Sequence, residues 1–99
     1  MTFDEIKESG NTSVVFFYGT ACGPCARLKP VMKDMAASQG FTLHEINVAS
    51  EMDAVRALGI RGVPTIVAIK DGAAEVLFTG EQSRPNITRM LHSAGVLTY

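Results

Sequence analysis

The six residues from Ser13 to Tyr18, SVVFFY, constrain this chain more than any other stretch. A β-branched and aromatic run without polar alternation, bounded by turn residues, reads as a strand buried on both faces. Such a strand belongs in the middle of a sheet.

The flanking patterns supply the other elements. Thr2 followed three residues later by Glu5 is a capping-box signature, and Phe3 with Ile6 gives a short apolar stripe, so a helix is predicted over 3–9 and stopped by Gly10 and Asn11. Beyond Cys22 the positions Cys25, Leu28, Met32, Met35 and Ala36 recur at spacings of three and four, which predicts a helix to Gln39, kinked at Pro30 and ended by Gly40. Phe41 to Val48 is strand-like, with His44, Glu45 and Asn47 marking it as incompletely buried. Ser50 and Asp53 resemble a capping box opening a short helix that carries Met52, Val55 and Leu58. Thr65 to Lys70 and Ala74 to Thr79 are strands joined by a tight Asp71-Gly72 turn, and a last helix turns Ile87, Met90, Leu91 and Ala94 inward. The first two strands are joined by a helical crossover and are therefore parallel, which predicts an α/β three-layer sandwich spanning 1–99 as one domain.

Composition narrows the function. With 99 residues, 46% of them hydrophobic, and a formal net charge of -1, the chain buries a modest core without a covalent staple. Nine Lys and Arg are scattered among ten acidic residues, so no nucleic acid partner is implied. No apolar run approaches membrane-spanning length and MTFDEIKESG has no signal-like hydrophobic region, so no membrane association and a cytoplasmic, reducing location are expected.

The only two cysteines, Cys22 and Cys25, stand in TACGPC. A zinc site would need further ligands, and His44 and His92 lie at no finger spacing. A structural staple closing so short a loop would remove little unfolded-state entropy. Redox exchange suits the position better. Cys22 falls where a strand ends and a helix begins, and unpaired amides and the helix dipole stabilise a thiolate there. Cys25, one turn on and facing inward, is placed to attack a mixed disulfide formed at Cys22. Pro24 is tolerated early in a helix and Gly23 lets another backbone approach the sulfur, although a plain turn has the same composition.

CGPC after a buried strand, Pro30 in the following helix, IRGVPT from Ile60 to Thr65, and KDG before a final strand together resemble the thioredoxin family over nearly the whole chain. The resemblance implies a thioredoxin-like sandwich with a cis Pro64 lying against the disulfide. It also implies a substrate-facing rim of Ala21, Gly23, Pro24, Gly62, Val63 and Gly80. Three departures stand out. The family's usual first strand has no counterpart before the helix at Thr2, so a four-stranded mixed sheet is expected, with Phe41 to Val48 at its edge. Ala21 replaces the family's Trp before the first Cys, while Tyr18 aligns with a second family Trp. Phe16 and Glu45 replace a buried Asp and Lys beneath the disulfide. Glu45 shares a sheet face with Phe16, so it either accepts the proton of Cys25 or protects the edge.

The resemblance thus implies a thiol-disulfide oxidoreductase that reduces protein disulfides without a metal or organic cofactor. Its expected partners are protein disulfides and a thioredoxin reductase, with the protein itself a monomer. The alternatives are a glutaredoxin-like, glutathione-dependent enzyme, or a thioredoxin-fold binding subunit of a larger enzyme.

Overall fold

The computed structural model describes residues 1–98. β1 (Ser13–Tyr18) runs through the middle of a four-stranded sheet, flanked by β2 (Leu43–Asn47) and β3 (Thr65–Lys70), with β4 (Ala73–Thr79) beyond β3. β1 and β2 are parallel and the other pairs antiparallel, so the sheet is mixed as expected. α1 (Phe3–Glu8), α2 (Gly23–Gln39), α3 (Met52–Ala57) and α4 (Arg84–Ser93) cover its two faces.

Alternation along β1 divides the core. Val14 and Phe16 meet Leu28, Met32 and Met35 of α2 and Ile87 and Leu91 of α4. Val15 and Phe17 meet Phe3 and Ile6 of α1, with Val55 and Leu58 behind them. Phe16 and Phe17 are almost fully buried, and covering each contributes about 2–3 kcal/mol, so neither face of β1 can be left open. The unalternating apolar run is a consequence of this double cover.

Local chemistry sets the element ends. The Thr2 hydroxyl accepts from the Glu5 amide while the Glu5 carboxylate accepts from the Thr2 amide, which completes the expected capping box. Asp71 and Gly72 both have positive φ, the conformation a two-residue hairpin turn requires. α2 continues through Pro30 and ends at Gly40 in a left-handed conformation.

The second expected capping box does not form. Ser50 Oγ donates to the Asn47 carbonyl inside a 3-10 turn (Val48–Ser50) in which the Ala49 amide donates to Asn47 Oδ1. α3 therefore begins one residue later, behind Glu51, with no side-chain cap. Glu51 Oε1 accepts the Phe3 amide at 2.8 Å and so ties this turn to α1. β2 is also shorter than the apolar pattern predicts: Phe41 packs into the core before the strand begins, and Val48 already belongs to the 3-10 turn.

Candidate active site

The first site element is the passage from β1 into α2. After Tyr18 the chain crosses Gly19, Thr20 and Ala21, and Ala21 has φ 54°, a left-handed conformation uncommon for a residue with a Cβ. Cys22 is the N-cap of α2 in an extended conformation, and Pro24 in the first turn supplies no N–H. The Cys25 amide therefore serves the cap, donating to Cys22 Sγ at 3.1 Å. Cys22 is half-buried and Cys25 is 5% exposed. The two are joined in a disulfide with their Cα atoms 5.2 Å apart.

The second element is the loop entering β3. The Val63-Pro64 peptide bond is cis, in agreement with the family pattern, and the Val63 carbonyl oxygen lies 3.8 Å from Cys22 Sγ. Pro64 is buried, and its carbonyl accepts the Gly80 amide at 2.8 Å, which carries the end of β4 to the same rim. The Thr65 hydroxyl donates to the Gly62 carbonyl at 2.7 Å and fixes the near side of the loop. Arg27 closes the far side by donating Nε and a terminal nitrogen to Glu81 Oε1 at 3.0 and 2.6 Å. This pair holds the Arg27 guanidinium above its usual range and the Glu81 carboxyl below the usual carboxylate range. Hydrogen bonds thus gather Val63, Pro64 and Gly80 toward the two cysteines and their neighbours Ala21, Gly23 and Pro24.

Beneath the sulfurs lies an open cleft of about 340 Å³, lined by Phe16, Tyr18, Ala21, both cysteines and Lys29. The Phe16 and Tyr18 rings stack with centroids 6.2 Å apart. Glu45 pairs with Phe16 in the β1–β2 register, on the sheet face expected for it. It does not line this cleft. Its Oε1 lies 3.0 Å from Lys29 Nζ, and the ammonium also sits 5.8 Å from the centroid of the Tyr18 ring. A larger hollow of about 580 Å³ between the starts of α1 and α3 holds neither sulfur.

Two site residues were missed in the sequence. Lys29 lies one turn beyond Cys25, and the i to i+4 spacing that puts both on one side of α2 was available. Gly19 sits so close to the Val63 side chain that an added Cβ would come 3.1 Å from Cγ2. Only the fold reveals that approach.

The family model for thioredoxin matches residues 2–93. The chain belongs to the thioredoxin family. It is 29% identical over 94 residues to a thioredoxin from Mycolicibacterium smegmatis, covering 91% of this chain and 84% of that one. A thioredoxin from Pseudomonas aeruginosa is 30% identical over 90 residues, covering 89% and 82%. Among solved structures, a mutant thioredoxin from Halobacterium salinarum superposes with a TM-score of 0.80 at 29% identity, covering 97% of this chain and 85% of that one. Family and fold, with a CxxC pair at bonding distance, make this thioredoxin-family protein a protein-disulfide oxidoreductase.

Proposed function

We propose that this protein works in the reducing direction, with Cys22 as attacking thiolate and Cys25 as resolving thiol. The carrying observation is the Cys25 amide directed at Cys22 Sγ, a donor that favours negative charge on the more exposed sulfur. Cys22 attacks a substrate disulfide and expels one substrate thiolate, leaving a mixed disulfide. Cys25 loses its proton and attacks Cys22 Sγ. The intramolecular disulfide forms, the second substrate thiolate leaves and is protonated, and two electrons have passed to the substrate.

Val63 and Gly62 present the backbone that a substrate segment meets beside Cys22, and Pro64 shapes that approach. An apolar groove of about 270 Å³ continues from Val63 toward Val48 and Met52, and the half-exposed Met52 offers an adaptable contact. Ala21, Gly23, Pro24 and Gly80 complete the surface with small or rigid residues. The cysteine pair is the redox group, with no added cofactor in the reaction. A flavoprotein thioredoxin reductase returns the electrons, and the protein acts as a monomer in a reducing cytoplasm. No helix among the described residues is long and apolar enough to cross a membrane.

The test is catalytic reduction of insulin disulfides with two electron sources compared. Turnover with NADPH and thioredoxin reductase, and little with glutathione, is the expected result. Turnover with glutathione alone would favour the glutaredoxin-like alternative, and activity surviving Cys22→Ser with Cys25→Ser would contradict both.

A further inference from the structure

Resolution poses an electrostatic problem at Cys25. The attacking species must be its thiolate, yet Cys25 is packed among Phe16, Leu28 and Met32, and burial among apolar groups disfavours charge. The amide at 3.1 Å serves the other sulfur. Phe16 beneath the pair can neither accept a proton nor offset a charge. Among the side chains lining the cleft, Lys29 carries the one cation, and none is a carboxylate.

We infer that the Lys29–Glu45 ion pair promotes the resolving step, with the Lys29 ammonium stabilising the Cys25 thiolate within the cleft that both line and Glu45 holding that ammonium in place. Three observations carry this. Lys29 lines the cleft with both cysteines, one helical turn beyond Cys25. Its Nζ, on a half-exposed side chain, meets Glu45 Oε1 at 3.0 Å and lies 5.8 Å from the Tyr18 ring centroid. Glu45 is itself positioned by the β1–β2 register, opposite Phe16. Glu45 is a positioning residue in this account, since its carboxylate reaches the cleft through Lys29.

The step balances without a protein base. Cys25 releases its proton to solvent at the cleft mouth. The new thiolate attacks Cys22 Sγ, the bond from Cys22 to the substrate breaks, and the departing substrate thiolate takes up a proton. The ionisable groups facing the cleft are Tyr18 from β1, Cys22, Cys25 and Lys29 from α2, and Glu45 from β2 through its pair. Lys33 stands one turn further along α2 beside Glu45, and Arg27 is engaged by Glu81 on the rim. The neighbouring residues of α4, Ile87 and Leu91, carry no charge.

The inference rests on the cysteine roles proposed above, and two measurements separate its failure from theirs. In a Cys22→Ser background, the pH profile of Cys25 alkylation reads the thiolate directly. Lys29→Met is expected to move its midpoint up by about one pH unit, Glu45→Gln by less, and Lys29→Arg hardly at all. In the protein with both cysteines, a peptide thiol linked to Cys22 reports resolution through its release. Lys29→Met should slow release at pH 7 about three- to fivefold, because a rarer thiolate is partly offset by its greater nucleophilicity. A Lys29→Met profile within about 0.2 pH units of its parent, or release at the parent rate, overturns the inference and leaves Lys29–Glu45 as a surface ion pair. Failure of the parent protein to release the peptide overturns the cysteine roles, and the inference with them.

Discussion

The backbone N–H of Cys25 donates to Sγ of Cys22 at 3.1 Å, so the sulfur at the head of α2 is held by an amide of the helix's own first turn. The same turn buries Cys25, and the two thiols are thereby made chemically unequal. In the reduced protein at pH 7, iodoacetamide should label Cys22 at least about tenfold faster than Cys25, as expected for a thiolate stabilised at a helix N-terminus. Peptide mapping of partially labelled protein gives the ratio. Equal labelling, or Cys25 first, would reverse the assigned roles.

The close approach of Gly19 to Val63 yields a mutational test of the rim. A Cβ at position 19 would lie 3.1 Å from Val63 Cγ2, so Gly19→Ala requires the Val63 side chain to give by a few tenths of an ångström. The prediction is that this strain reaches the Val63 carbonyl, which lies 3.8 Å from Cys22 Sγ. The expected cost is about three- to tenfold in the rate of attack on a protein disulfide, because small misplacements at a reacting centre are expensive. Adding Val63→Ala removes the methyl groups and should restore part of the rate in stopped-flow single turnovers. An unchanged rate in Gly19→Ala would mean that the loop does not need this fit.

Much of this architecture was legible in the sequence, and the exceptions share a cause. The strand from Ser13 to Tyr18, the Thr2–Glu5 capping box and the Asp71-Gly72 turn each depend on residues adjacent in sequence, and each occurs as read. The Ser50–Asp53 box fails because Ser50 has a competing partner in the Asn47 carbonyl, which a turn upstream brings within 2.8 Å. The face of Glu45 followed from strand alternation, yet its partner did not, since the Lys29 contact depends on how α2 lies across β2. The cysteines were readable from their spacing and their place at a strand-to-helix junction, and the Val63-Pro64 loop through family resemblance, whereas the Gly19–Val63 and Lys29–Glu45 contacts join elements distant in the chain.

β2 is an edge strand among the described residues, paired with β1 on one side only. Hydrogen exchange along Leu43–Asn47 should therefore divide into two classes, with amides directed at β1 protected and the alternate ones exchanging at least about tenfold faster. Uniform protection of both classes would reveal a partner on this edge and contradict a monomer.

His44 gives the fold a pH dependence of defined sign. Partial burial holds its imidazole below the usual range, and the positive amino terminus lowers it further. The unfolded chain, with a pKa near 6.5, then binds a proton more readily than the folded one. Its contribution to stability is complete above about pH 6.5 and is lost as pH falls through the folded value. Urea unfolding from pH 8 to 5 should show this decline, with a shallower slope in His44→Gln. Identical slopes would assign the acid sensitivity to other groups.

The division of labour between the two sulfurs is tested most directly by trapping the intermediate. With Cys25→Ser, a protein disulfide substrate should accumulate as a covalent adduct at Cys22, because the attack proceeds and the resolving thiol is absent. Intact-mass measurement followed by peptide mapping locates the bond, and Cys22→Ser should form at most about a tenth as much adduct in the same time. Adduct forming at Cys25 in Cys22→Ser as fast as at Cys22 in Cys25→Ser would contradict the account.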